Sequence, residues 1–324
     1  MTAVLVIRPS SLGDVVHALA IVADVRTHRP GLAIDWVAEE AFAPLVALDP
    51  GVRRTIPVAL RRWRRALFAA ATWREFAVFR AALREERYAA VIDLQEQLKG
   101  AALAALARGV RHGPRARESR EPLADWWHDV RHPVPRRQHF QDRCRQLVAA
   151  ALGYTAAGPP RFGLVPPPLP RSAAPAGPYA MLVHGTSRSD KLWPEAHWRA
   201  LAGALGGSGI AALLPWGSDA ERARSERIAA GIATARVLPQ LGLPEQASLL
   251  RGAEIVVGVD TGLVHLAAAL QTPTVALFVA TDPAQAGIAG TGARARDLGG
   301  AGQVPTPEDV GATVGTLLRD APRC

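Results

Sequence analysis

Residues 8–17 read RPSSLGDVVH, and the runs on either side of them decide the fold. The run before, AVLVI (3–7), is wholly apolar and rich in β-branched residues. A short apolar run that stops at polar residues is what a strand buried on both faces needs. The run after, VVHALAIVADVR (15–26), reads as a helix. Between them sit two serines, a glycine and one carboxylate, Asp14. A carboxylate at the start of a helix can simply cap it. It is also held ionised there by the helix dipole, on a rigid turn where it could accept a proton.

The same alternation continues along the chain. LAIDWVAE (32–39), RTIPVAL (54–60) and YAAVIDLQ (88–95) read as strands. WREFAVFRAALREER (73–87) places Phe76, Phe79, Ala82 and Leu83 at helical spacing, and AALAALA (101–107) reads as another helix. A proline-dense stretch, 158–178, can be neither helix nor central strand, because proline lacks an N–H and fixes φ. Beyond it YAMLVHG (179–185), IAALLPWG (210–217), ARVLP (235–239), EIVVGVD (254–260) and TVALFVA (274–280) read as strands, with helical runs between them. The reading is an α/β chain of two doubly wound, Rossmann-like parallel-sheet domains: 1–158, a linker at 159–178, and 179–324. In such sheets ligands bind beyond the carboxyl ends of the strands, so the turns after each strand carry the argument.

Length and composition agree with two cores. The chain has 324 residues and is 49% hydrophobic. No apolar run approaches the ~18 residues that a membrane span needs. The first residues enter a strand with no leader pattern, so a cytoplasmic protein is expected. Cys144 and Cys324 offer neither a disulfide framework nor zinc-ligand spacing. The net charge of +9 is lopsided: residues 1–160 hold 24 Lys+Arg against 16 Asp+Glu, and residues 161–324 hold 14 against 13. An acidic partner is therefore expected at the N-terminal half, near RRTIPVALRRWRR (53–65) or RHGPRARESRE (111–121), although either run could be an ordinary solvated face. Only two of the 38 basic residues are lysines, Lys99 and Lys191.

Two turns of the second half stand out. In GVDTGLVH (258–265), Asp260 ends a strand, Thr261 and Gly262 open a helix, and His265 follows one turn later. A helix start is a ready anion site; an Asp N-cap with a packed histidine is the plainer alternative. In HGTSRSDKLWP (184–194), Thr186, Ser187 and Lys191 bring hydroxyls and an ammonium to a strand-to-helix turn, which suits a diphosphate. A capping turn with an exposed lysine would look the same. The chain has no G-x-G-x-x-G, P-loop, nucleophile elbow or H-E-x-x-H. Nor does it have a D-x-D pair to hold a divalent metal, so a bound diphosphate would be neutralised without one. A Rossmann dehydrogenase is disfavoured by the missing glycine fingerprint, and a nucleic-acid binder has only the basic balance behind it.

Taken together, RPSSLGDVVHALA, ALRRWRR, SREPLA, HGTSRSDKLWPEAHW, LPWGS and VDTGLVHLAAAL resemble the bacterial ADP-heptose:lipopolysaccharide heptosyltransferases, in order and over nearly the whole chain. The likeness is greatest to those members that add the first heptose to Kdo-lipid A. The resemblance implies a GT-B fold and an inverting, metal-independent transferase without a cofactor. The donor ADP-heptose would lie on the C-terminal domain and the Kdo-lipid A acceptor on the N-terminal one. The last helix, near 307–319, would cross back to the first domain. It implies that Asp14 is the catalytic base, with Ser10, Ser11 and Gly13 shaping its loop. Thr186, Ser187 and Lys191 would contact the diphosphate, and Glu221 the ribose. Asp260, Thr261, Gly262 and His265 would contact the donor's sugar and phosphates. Arg61, Arg62, Arg64, Arg65, Lys99 and Arg120 would face the anionic acceptor. An acceptor embedded in a bilayer implies a peripheral enzyme on the cytoplasmic face of the inner membrane, with no spanning segment. Transfer of the second heptose, or use of another sugar nucleotide, is the alternative. Pro9, DLQEQLKG (93–100) and FVATDP (278–283) depart from the family pattern.

Overall fold

A computed structural model describes residues 2–169, 176–288, 290–292 and 294–320. Part of the proline-rich stretch (170–175) and Cys324 lie outside the described residues. The chain divides into two compact units, Met1–Val165 and Pro166–Cys324.

The first unit runs β1 (Ala3–Ile7), α1 (Leu12–His28), β2 (Ala33–Glu39), α2 (Ala43–Val46), β3 (Val52–Val58), α3 (Leu60–Trp63), α4 (Ala70–Arg84), β4 (Tyr88–Asp93), α5 (Leu98–Leu106), β5 (Gly109–Pro114), β6 (Val130–His132) and α6 (Phe140–Leu152). The sheet order is β3-β2-β1-β4-β5-β6, and every pairing is parallel. All five residues of β1 are buried, as expected of a central strand flanked on both sides. Leu5, Ile7, Val37, Phe79, Leu83 and Val91 belong to one core cluster.

The second unit repeats the plan with β7 (Tyr179–Val183), α7 (Glu195–Gly207), β8 (Ala211–Leu214), α8 (Asp219–Ala229), β9 (Ala235–Val237), α9 (Leu243–Gly252), β10 (Ile255–Val259), α10 (Gly262–Ala269), β11 (Thr274–Phe278), α11 (Pro283–Ala286), β12 (Ala295–Gly299) and α12 (Pro307–Arg319). Its order is β12-β11-β10-β7-β8-β9. Counted from each unit's first strand, both sheets read 3-2-1-4-5-6, the doubly wound order. The order in which strands are added reverses at β1/β4 in the first unit and at β7/β10 in the second. A crevice opens at such a switch point, beyond the carboxyl ends of the two strands.

Two buried tryptophans anchor the far end of the turn after β7. Trp193 and Trp198 meet edge to face, 4.9 Å between centroids. Trp193 Nε1 donates to the Pro305 carbonyl at 2.8 Å, and Arg224 donates to the Trp193 carbonyl. α12, for which a crossing to the first domain was expected, buries Val310, Val314 and Leu317 in the core of the second unit. No helix among the described residues is long and apolar enough to cross a membrane.

Candidate functional site

The first unit's switch point gathers the residues that follow β1 and β4. Ser11 is the N-cap of α1, and Asp14 stands three residues on, in the first turn. One Asp14 oxygen, Oδ2, accepts from the Ser11 N–H at 3.1 Å and the Ser11 hydroxyl at 3.0 Å. Asp14 thus braces the helix start without being its N-cap. The same oxygen lies 2.6 Å from a guanidinium nitrogen of Arg8, whose side chain is wholly buried. Arg120 stands 3.7 Å from the other oxygen. Burial pushes the Asp14 carboxyl up, but Arg8, Arg120 and the Ser11 donors outweigh it, so the group sits below its ordinary value. Both guanidiniums lie over the Phe140 ring, at 4.6 and 5.3 Å from its centroid.

β4 supplies the other wall. Arg8 donates to the Leu94 carbonyl, and the Ser10 N–H donates to Gln95 Oε1 at 3.2 Å. Lys99, in the first turn of α5, donates to the Ser10 hydroxyl at 3.0 Å. Burial, with Arg8 and Arg61 nearby, pulls the Lys99 ammonium below its ordinary value. The structure therefore brings Ser10, Ser11, Gly13, Asp14, Lys99 and Arg120 together. The arginines of α3 and the residues after it behave differently from one another. Arg62 is held by Glu40 and Glu75, at 2.9 and 2.8 Å. Arg61 lies over the Phe42 ring, 5.2 Å from its centroid. Arg64 and Arg65 are exposed and have no carboxylate partner among the described residues.

The second unit's switch point is built around Asp260, at the end of β10. Lys191 Nζ stands 2.6 Å from Asp260 Oδ2, Thr281 donates to that oxygen at 2.8 Å, and His265 Nε2 lies 3.3 Å from Oδ1. Burial acts to raise this carboxyl. The hydrogen bonds from His265 and Lys191 overcome it and hold the group well below the usual carboxylate range. Asp260 is thus no helix cap, and Lys191 is no exposed lysine: the N-cap of α10 is Thr261, with Gly262 opening the helix. Thr186 is half-buried and Ser187 exposed in the turn after β7. Glu221, in the first turn of α8, accepts from the Gly217 N–H at 2.7 Å. Its carboxylate packs over Gly185, where a Cβ would come within 2.6 Å of it. One ammonium with two donors left, hydroxyls, and a helix start with unpaired N–H groups make a cradle for an anionic group.

Sequence reasoning missed Arg8, Gln95 and Thr281. Each ends a strand or follows one, at the crevice edge where the turns were to be searched. Gln95 and Thr281 meet Ser10 and Asp260 from the neighbouring strand's end, and Arg8 folds back onto Asp14 and the Leu94 carbonyl, which no local spacing reveals.

Residues 76–305 match glycosyltransferase family 9 (heptosyltransferase). The chain is 44% identical over 282 residues to lipopolysaccharide heptosyltransferase 1 of Escherichia coli strain K12, covering 86% of this chain and 88% of that protein. To lipopolysaccharide heptosyltransferase 3 of E. coli it is 24% identical over 284 residues, 83% of this chain and 81% of that one. The structure of E. coli heptosyltransferase WaaC with ADP is similar at a TM-score of 0.89 and 40% identity, covering 98% of this chain and 100% of that chain. WaaC with ADP-2-deoxy-2-fluoro heptose gives 0.85 and 40%, covering 97% and 99%. The two-unit α/β fold is that of these transferases, and the chain belongs to glycosyltransferase family 9, the heptosyltransferases.

Proposed function

We propose that this chain moves heptose from ADP-heptose to the Kdo of Kdo-lipid A, with inversion, in lipopolysaccharide inner-core synthesis. The observation that carries the reading is the division of labour between the two switch points. One holds an ionised carboxylate, Asp14, among cations; the other holds Lys191 at a helix start. Inverting transfer is a single displacement at the anomeric carbon. The attacking hydroxyl loses its proton to Asp14 as the bond forms. The departing ADP develops charge, which Lys191, Thr186, Ser187 and the α10 N–H groups stabilise. Glu221 takes the ribose hydroxyls. Asp260, with Thr281 and His265, holds the Lys191 ammonium in place and faces the donor's sugar.

The acceptor is anionic, and Lys99, Arg61, Arg64, Arg65 and Arg120 suit it. Arg62 has less to give than these, because Glu40 and Glu75 already occupy its guanidinium. Transfer of the first heptose is favoured over later additions by the 44% against 24% identities. A lipid acceptor calls for a peripheral protein at the inner membrane's cytoplasmic face. The basic balance of residues 1–160 supports attraction to anionic lipid. The test is incubation with ADP-heptose and Kdo-lipid A, without added metal, followed by mass analysis. A product heavier by one heptose is expected. No product with that donor, or product only with another sugar nucleotide, overturns the reading.

A further inference from the structure

The most exposed apolar side chains of the first unit include a set within one short segment. Phe68 is fully exposed at 102%, and Leu67, Trp73 and Val78 are more than half exposed. Single exposed apolar residues need no explanation, but this segment is braced to present them. Trp73 Nε1 donates to the Leu67 carbonyl at 2.9 Å, and the Thr72 hydroxyl donates to the Ala66 carbonyl at 2.8 Å. The loop before α4 is thereby tied to the helix's first turn, with Leu67 and Phe68 pointing outward at its tip.

The charge around it has one sign. Residues 61–84 contain seven arginines and a single acid, Glu75. Glu75 is paired with Arg62, as is Glu40, so neither offsets the rest. Arg64, Arg65, Arg74, Arg80 and Arg84 are all exposed. Beside the loop lies a largely apolar groove of about 590 Å³, walled by Ile56, Val58, Trp63, Val78 and Phe79, with Arg62, Arg74 and the Arg62-paired Glu40 and Glu75 also lining it.

We infer that the loop 64–69 and the outer face of α4 form a docking surface for an anionic lipid bilayer, with Leu67, Phe68 and Trp73 inserted among the headgroups. Aromatic and aliphatic tips ringed by arginine match an interface that is apolar within and anionic at its surface. A second copy of this chain would bring the same positive charge against it. This deepens the peripheral reading above, rests on it, and gives it residues.

The test is co-sedimentation of the full chain with vesicles of phosphatidylethanolamine and phosphatidylglycerol, and with vesicles of phosphatidylcholine alone. The wild type should sediment with the first and not the second, and salt should weaken it. The double variant Leu67→Ser/Phe68→Ser should partition at least about tenfold more weakly. It should keep its thermal midpoint and its turnover on a de-acylated, water-soluble acceptor. Arg74→Glu/Arg80→Glu should likewise lose binding to the anionic vesicles. Wild-type sedimentation that the serine variant does not weaken overturns this face while leaving the peripheral reading intact. No sedimentation with either vesicle overturns both. A serine variant that loses turnover on the soluble acceptor, yet still binds vesicles, places Phe68 in the acceptor site instead. A concentration-dependent dimer abolished by the serine pair, without vesicle binding, makes the loop a protein interface and also overturns the inference. Should the wild type fail on the soluble acceptor, the acceptor assignment fails, and the vesicle arm still decides the surface.

Discussion

Lys191 Nζ lies 2.6 Å from Asp260 Oδ2, joining residues 69 positions apart at the ends of two adjacent strands' loops. The pair sets the position of an ammonium that has two further N–H donors to offer. Replacing Lys191 with alanine should weaken ADP and ADP-heptose binding together. Loss of one charge-assisted phosphate contact costs about 1.5–3 kcal/mol, or roughly 10- to 150-fold in affinity. Calorimetry with ADP checks it, and an unchanged affinity would remove Lys191 from the donor site. Thr281→Val, which deletes only a hydrogen bond to Asp260, should act in the same direction by a smaller factor.

Asp14→Asn separates chemistry from binding. Asparagine cannot take a proton as a carboxylate does, so kcat should fall by about 10²–10⁴ with both substrates still bound. Close to wild-type turnover in a folded variant would sink the base assignment.

The same variant has a stability signature. Arg8 is wholly buried and would lose its counter-charge, at a cost of about 1–3 kcal/mol. The Asp14 carboxyl is held below its ordinary value in the folded chain. Its contribution is therefore fully present above the unfolded carboxylate value of about 3.9 and is lost as pH falls through the lower folded value. The gap between wild type and variant should be flat from about pH 5 upward and close under acid. Denaturant melts at several pH values measure it; a gap that widens under acid contradicts the pairing.

On the acceptor side, Arg64→Ala/Arg65→Ala should raise the acceptor KM well above any change in the donor KM. Arg62→Ala should do less to the acceptor KM, because Glu40 and Glu75 already hold that side chain. A rise confined to the donor KM would mean that the substrates lie on the opposite units.

Gly185→Ala tests the proposed ribose contact without substituting Glu221 itself. The new methyl would sit 2.6 Å from the Glu221 carboxylate, which the Gly217 N–H holds in place. ADP affinity should drop several-fold while the core, and hence the melting temperature, changes little. An unaltered ADP affinity would free Glu221 from that role.

Both sheets were legible in the sequence because their central strands are continuous apolar runs. AVLVI, YAAVID, YAMLV and IVVGV are readable without any partner, and the turns after them are the switch points. The edge strands β3 and β9 were legible too, but β5, β6 and β12 were not. GVRHGP (β5), next to the edge, and VRH (β6), at the edge, are short and polar, since strands there bury little. ARDLG (β12) carries charge for the same reason. The α3 helix was hidden in a basic run whose arginines obscure any apolar face. Within the site, Asp14, Lys191 and Asp260 were found as residue types in turns. Only the fold reveals that Arg8 backs Asp14 from a buried position and that Thr281 reaches Asp260 from the turn after β11.

The bond from Trp193 to the Pro305 carbonyl has a consequence for how the donor turn holds its shape. The turn that begins at His184 ends on a fully buried indole, and that indole is fastened to the segment leading into α12. Thr186, Ser187 and Lys191 thus owe their placement to residues more than a hundred positions downstream. The turn and the chain's last helix should open as one unit in hydrogen exchange, with matching protection. Shortening the chain before Pro305 would remove none of the residues assigned to ADP, yet it should loosen the ground on which they stand.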